Sequence, residues 1–352
     1  MFKNFSAKAA LCCFLLTAFL GNFAAQAQDL NSKLPVDPLV TKGTLSNGLT
    51  YYIRPNSKPE KKVELRLIVN AGSILEDDDQ QGLAHFMEHM NFNGTKNYTK
   101  NKLVDFLQTI GVKFGADLNA YTSFDETVFI LPIPTDKPGN LEDCFQVISD
   151  WAHNALLTDE DIDGERKVVL EESRLGKGAQ DRMMHQYLPK LLAGSHYANR
   201  LPIGKDDILK TFKYDAVRRF YHDWYRPNLM AVAVVGDITT AQAKTLIEKY
   251  FGSFKNPANE KPRKTFDVPP YPESEAMVVT DKEATNYQVQ LIFSAKKQEP
   301  QVTRHDYQKS LVRNMFTSIL NQRIQELTQS ATPPLAFAVG FIDSWARGYE
   351  SM

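Results

Sequence analysis

Cysteine is almost missing from this chain. Three occur in 352 residues, and two of them, Cys12 and Cys13, lie in the first apolar run. Past that run only Cys144 remains, so no internal disulfide can form, and stability must come from core burial or a bound metal. Long apolar runs are missing as well. The stretch "AALCCFLLTAFLGNFAA" falls short of the ~20 residues that span a bilayer, and no later run is long enough to do so. A strong charge of either sign is absent: 41 Lys and Arg stand against 42 Asp and Glu, for a net charge of −1. That balance offers neither a nucleic acid nor an anionic membrane a matching face, so neither partner, and no stable membrane insertion, is expected. No Gly-rich phosphate loop, serine elbow or catalytic-cysteine context stands out.

What is present begins with a leader. Lys3 and Lys8 precede the apolar run, which ends at Ala25-Gln26-Ala27. A basic start, a short apolar core and a small-x-small site read as a secretory signal peptide over residues 1–27, cleaved before Gln28. The expectation is an exported protein of bacterial style, periplasmic or secreted. The leader carries two lysines and no acids, so the chain without it is slightly more acidic than the whole.

The remaining length exceeds what one core usually supports, which predicts two domains. "GTLSNGLTYYIRPN" and "KKVELRLIVNAGS" carry strand signals: an Asn47-Gly48 turn, then alternation at Val63, Leu65, Leu67 and Val69. Helical periodicity appears in "KNKLVDFLQTIG" and "LEDCFQVISDWAHNAL", with a strand-like "YTSFDETVFILPIP" between them. "NLMAVAVVGDI" reads as a buried strand before the helix "TAQAKTLIEKYFGSF". Strands and helices alternate irregularly after an opening hairpin, which predicts an α+β fold, a sheet packed by helices. Residues 253–273 are rich in Pro, Lys and Asn and read as a linker. Beyond it the pattern restarts with "EAMVVTD" and "NYQVQLIFSA". A long amphipathic helix comes next, from about Arg304 to Leu327, with Tyr307, Leu311, Met315, Ile319 and Leu320 on one stripe. A second domain of the first one's size would need roughly a hundred further residues, so 274–352 reads as an incomplete second domain.

Histidine is scarce, with seven in the chain, yet two fall in "LAHFMEHMNF". On a helix His85, Glu88 and His89 share one face, because positions i, i+3 and i+4 do. Two imidazoles one turn apart can hold zinc at about 2.0–2.1 Å each, and the carboxylate between them is placed to take a proton from the metal's water. This H-x-x-E-H order inverts the better-known H-E-x-x-H arrangement. A third ligand should exist elsewhere. "DGERKVVLEESRLG" offers Glu165 and Glu172, two helical turns apart and so on one face, with Val168 and Val169 as anchors to the core. One carboxylate can ligate while the other orients a ligand or the water.

Together, and in chain order, "GLAHFMEHMNFNGT", "LNAYTSFDETVF", "ERKVVLEESR" and "YRPNLMAVAVVGDI" resemble the pitrilysin, insulin-degrading-enzyme and mitochondrial-processing-peptidase family of inverted-motif zinc peptidases. The resemblance runs over residues 40 to 255 and reaches weakly into "NMFTSILNQRIQEL". It implies repeated α/β roll domains, with a zinc-binding catalytic one over residues 28–252. It also implies one Zn2+ per chain and hydrolysis of peptides or small unfolded proteins. His85 and His89 match the imidazole ligands, Glu88 the general base, Glu172 the third ligand and Glu165 a supporting acid; Glu171 is the competing ligand choice. Leu118-Asn119-Ala120-Tyr121 matches an edge strand to which substrate adds through its backbone. The family pairs two halves around a chamber, and the partner half supplies an Arg and a Tyr at the oxyanion. No segment here matches them, which implies a second half-chamber polypeptide, a homodimer, or a fragment of a longer enzyme.

Overall fold

The computed structural model describes residues 29–112 and 119–352, so the leader and Leu118 lie outside the described residues. Two compact units are present: residues 36–298 with 341–352, and, among the described residues, 29–35 with 299–340.

The larger unit is built on a six-stranded sheet. Its strands are β1 (Thr41–Thr44), β2 (Thr50–Pro55), β3 (Lys62–Val69), β4 (Asn119–Thr122), β5 (Thr127–Pro134) and β6 (Met230–Gly236). Their spatial order is β1-β2-β6-β3-β5-β4. The β2–β6 pair is parallel and every other neighbouring pair antiparallel. The helices of this unit are α1 (Leu83–Asn93), α2 (Lys100–Thr109), α3 (Asn140–His153), α4 (Asp159–Gly176), α5 (Ala179–Leu191), α6 (Asp206–Thr211), α7 (Tyr214–Trp224) and α8 (Thr240–Phe251).

The opening hairpin turns at Asn47-Gly48, with Thr44 opposite Thr50. Gly48 sits at φ +91°, a conformation that favours glycine. The Asn47 amide ties the turn to the end of α8 by donating to the Phe251 carbonyl at 2.8 Å and the Phe254 carbonyl at 3.0 Å. Along β3 the expected alternation is realised: Val63, Leu65, Leu67 and Val69 are buried. Glu64 and Arg66, on the opposite face, pair with each other at 2.6 Å. The partners of Leu65 across the sheet, Leu131 and Val234, are buried too, so one face of the sheet is the core face. Helices α3 and α8 cover it, and α1 packs where β4 and β5 meet the other helices. Phe92, Phe129 and Trp151 form the aromatic centre, with ring separations of 5.1 to 6.1 Å. This is a mixed α+β structure, a sheet packed by helices.

Strand composition alone does not make a ladder. Tyr287, Val289, Leu291 and Phe293 alternate as a strand should, yet all four are exposed, and no ladder forms over 285–295 among the described residues. Only the two-residue β7 (Lys296–Lys297) pairs, in a small sheet ordered β7-β9-β8 with β8 (Asp343–Ala346) and β9 (Tyr349–Ser351).

The smaller unit carries the long helix α9 (Arg304–Thr328), close to its expected limits. A capping box starts it: the Thr303 hydroxyl accepts the Asp306 N–H at 3.2 Å, and the Asp306 carboxylate accepts the Thr303 N–H at 2.8 Å. None of its residues is buried. No helix among the described residues is long and apolar enough to cross a membrane.

Candidate metal centre

Helix α1 is set in place from its first residue. The buried carboxylate of Glu76 accepts the Gly82 N–H at 3.0 Å and the Ala84 N–H at 2.8 Å, satisfying donors that a helix start leaves free. Gly82 sits at φ +104° against the Gly204 backbone, where a Cβ would meet the Gly204 Cα at 3.1 Å. Leu83, Ala84, Phe86, Met87 and Met90 are buried, which holds the opposite side of the helix in the core. His85, Glu88 and His89 therefore share the remaining face.

Helix α4 lies alongside α1. The Thr158 hydroxyl caps it, accepting the Asp161 N–H at 3.1 Å. Ile162 and Val169 are buried and hold it to the core, but Val168, expected as a second anchor, is 50 % exposed. One step of 100° separates neighbouring helical residues, and only one of the two valines can face inward. Glu165 is buried and Glu172 exposed, and both reach the same imidazole. His89 Nδ1 lies 2.8 Å from Glu165 Oε1, and His89 Nε2 lies 3.3 Å from Glu172 Oε2. His85 Nε2 is 3.2 Å from His89 Nε2 and 3.7 Å from Glu172 Oε2.

These three donor atoms form a triangle with edges of 3.2, 3.3 and 3.7 Å. Ligands about 2.0–2.1 Å from a tetrahedral zinc stand about 3.3 Å apart, so the residues present fit the ion. Two imidazole nitrogens facing each other beside a carboxylate oxygen also make a site that a cation satisfies. His85, His89 and Glu172 are the group of potential ligands found among the described residues. Glu171, the competing choice, is instead engaged by the Arg174 guanidinium at 2.6 and 2.8 Å.

The surrounding electrostatics suit such a set. Burial, with the neighbouring His89, pushes the His85 imidazole down to about 4, so it is neutral near pH 7. Burial also works to lower His89, but the hydrogen bond and charge of Glu165 outweigh it and raise that pKa. Glu165 is pulled below its ordinary value: burial opposes this, and the hydrogen bonds from His89 and Asn93 prevail. Burial holds Glu88 above its ordinary value, against the Thr122 hydrogen bond.

Strand β4 is the last strand of the sheet and pairs only with β5 among the described residues. Asn119 and Tyr121 are exposed, while Ala120 is half-buried. The structure thus brings His85, Glu88, His89, Glu165 and Glu172 to one place, with Asn119, Ala120 and Tyr121 on the neighbouring open edge.

Three further residues were not foreseen. Asn93 donates to Glu165 Oε2 at 2.5 Å, and Lys100 bonds Asn93 Oδ1 and stands 3.9 Å from Glu165. The Thr122 hydroxyl donates to Glu88 Oε2 at 2.6 Å. Asn93 had a signal, since it lies one helical turn beyond His89. Thr122 had none, because its contact crosses 34 residues.

Residues 51–201 match the family model Insulinase (Peptidase family M16), and residues 211–332 match the Peptidase M16 inactive domain. The probable zinc protease PqqL of Haemophilus influenzae is 38% identical over 307 residues, which cover 86% of this chain and 33% of that protein. The zinc protease PQQL-like of Arabidopsis thaliana is 36% identical over 294 residues, covering 83% of this chain and 30% of that one. The chain therefore spans about a third of the length of these curated relatives. Among solved structures, the first half of the periplasmic protease PqqL from Escherichia coli superposes with a TM-score of 0.82 at 32% identity, over 91% of this chain and 68% of that one.

Proposed function

Because the chain belongs to the insulinase family, peptidase family M16, we propose that it is an exported zinc-dependent endopeptidase acting on peptides or small unfolded proteins. The observation that carries this reading is the triangle of His85, His89 and Glu172 with the buried carboxylate of Glu88 on the same helix face. His85, His89 and Glu172 would hold one zinc ion per chain. Zinc, when bound, supplies a Lewis acid that polarises a peptide carbonyl and makes water acidic near pH 7.

The chain's own residues do the rest. Glu88 takes a proton from the attacking water and passes it to the leaving amine, as a carboxylate with a raised pKa is suited to do. Glu165 accepts from His89 Nδ1, which fixes the tautomer that turns Nε2 toward the site. A substrate strand adds to the open edge of β4 along Asn119, Ala120 and Tyr121, gaining affinity from backbone hydrogen bonds.

The same reading takes residues 1–27 as a signal peptide, leading to a periplasmic or secreted protein. It takes 28–252 as the zinc-binding domain, 253–273 as a linker and 274–352 as part of a second roll. The composition of 253–273, and the lack of helix or strand there, support the linker. A second reading makes the chain one half of a chamber that needs a partner half, a separate polypeptide or a second copy, to cleave. It is compatible with the likeness to the first half of the periplasmic protease PqqL from Escherichia coli.

Hydrolysis of a quenched fluorescent peptide library by residues 28–352, beside Glu88→Gln and with zinc counted in both, tests the two. Cleavage that vanishes in the variant supports the first. One zinc per chain without cleavage supports the second, and no zinc refutes both.

A further inference from the structure

The general base is held from two directions. Its backbone belongs to α1, but its Oε2 accepts from the hydroxyl of Thr122, the last residue of β4, at 2.6 Å. That hydroxyl stands 3.4 Å from Thr127 Oγ1 across the β4–β5 ladder, and the Thr127 hydroxyl donates to the Ala71 carbonyl at 3.0 Å. Thr127 is fully buried, so the anchor behind Thr122 is part of the core.

The register of β4 gives this contact a second meaning. Ser123 N–H bonds the Glu126 carbonyl at 2.8 Å, and Thr122 faces Thr127. In an antiparallel ladder hydrogen-bonded and non-hydrogen-bonded pairs alternate, so Ala120–Phe129 and Thr122–Thr127 are the non-hydrogen-bonded pairs. The backbone N–H and C=O of Ala120 and Thr122 therefore point away from β5, toward the open edge. Side chains alternate in the same rhythm, which puts the Ala120 and Thr122 side chains on one face of the strand, that of Glu88. One residue thus presents its backbone to an incoming strand and its hydroxyl to the base.

We propose that Thr122 is a positioning residue, whose hydroxyl fixes the Glu88 carboxylate in register with the strand that receives the substrate. The inference rests on the peptidase reading of the site. The base is thereby placed relative to the bound peptide, and not by helix α1 alone.

The test uses the full zinc-loaded chain with Thr122→Val, which keeps the shape without the hydroxyl, and Thr122→Ser, which keeps the hydroxyl. Zinc content, kcat and KM on a fluorogenic peptide, and the affinity of a peptide hydroxamate are measured. The hydroxamate chelates zinc and donates a hydrogen bond to the base, so its binding reports on Glu88 whether or not the chain turns over. Thr122→Val is expected to keep zinc, to weaken the hydroxamate and lower kcat about tenfold, and to change KM less than about twofold. Thr122→Ser recovers most of both losses. Adding Thr122→Val to Glu88→Gln weakens the hydroxamate little further, since the group being positioned is already altered. Wild-type hydroxamate affinity in Thr122→Val, a loss that serine does not rescue, or an equal loss in the Glu88→Gln background would each overturn the proposal while leaving the peptidase reading intact. A wild-type chain that binds no zinc overturns both.

Discussion

Replacing Glu165 by glutamine changes one atom and the charge of a carboxylate that never meets the metal in the proposed site. Its effect can be worked out from three contacts. Oε1 accepts from His89 Nδ1 at 2.8 Å, Oε2 accepts from Asn93 at 2.5 Å, and Lys100 stands 3.9 Å away. Glutamine keeps an acceptor for His89 but turns an amide donor toward the Asn93 amide, which is also a donor, and it cancels the charge that Lys100 faces. A hydrogen bond to a charged group is worth about 1.5–3 kcal/mol, and a neutral one about half that. The imidazole of His89 also becomes a weaker donor of electrons when its Nδ1–H no longer faces an anion. The expected loss is about 1.4–2.8 kcal/mol in zinc binding, a 10- to 100-fold weaker Kd. Competition with a chromophoric chelator at pH 7.5 measures it, with Glu88→Gln as the control that should change the Kd less than about threefold. Zinc bound as tightly by Glu165→Gln as by the wild type would refute the reasoning. So would a loss as deep as that of removing a ligand.

Glu88→Gln is expected to retain zinc and lose nearly all cleavage, whereas Glu172→Gln loses the metal; zinc analysis of the two purified variants decides, and metal kept in Glu172→Gln would move the third-ligand role to Glu171 or Glu165. Burial pushes Glu76 up to about 8, against the N–H groups of Ala84 and Gly82 and the charge of Arg200. Its folded pKa then lies above its unfolded value, so its contribution to stability is present below the ordinary carboxylate range and is lost as pH rises toward 8. Glu76→Gln, which keeps the acceptor without the charge, should flatten the fall of the urea midpoint between pH 5 and 8; parallel curves would rule this out. Gly204→Ala should destabilise the start of α1, because a Cβ there would meet the Gly82 Cα at 2.3 Å and the Gln81 carbonyl at 2.5 Å. A drop in Tm together with weaker zinc binding is expected, and an unchanged Tm would contradict it.

The elements legible in the sequence are those whose pattern is local. The Asn47-Gly48 hairpin, the alternation of β3 and the span of the long helix α9 depend on neighbours a few residues away, and all three are found where the pattern puts them. His85, Glu88 and His89 were legible for the same reason, one helix face being a local property. The pairing of the metal helix with α4 is not local, and the motif resemblance joined the two segments. What stayed hidden depends on contacts across the fold. Thr122 reaches Glu88 only because β4 ends beside α1. Val168 looked as apolar as Val169, and only the packing of α4 decides which one is buried. The strand-like run at 287–293 shows the reverse case, a local pattern that promises a ladder where none forms among the described residues.

The place of β6 in the sheet sets an order of assembly. It lies between β2 and β3, with Thr50 paired to Ala231 and Val69 to Met230. Strands made early in synthesis therefore wait for one made some 160 to 180 residues later, and loop closure on that scale is slow. A chain that has not yet reached Gly236 lacks the strand that joins the β1–β2 hairpin to the β3-β5-β4 ladder. Both helices that carry the candidate ligands are already synthesised by then: α1 packs at β4 and β5, on the ladder side of the gap, and α4 packs against α1. The hairpin and that ladder become one sheet only through β6.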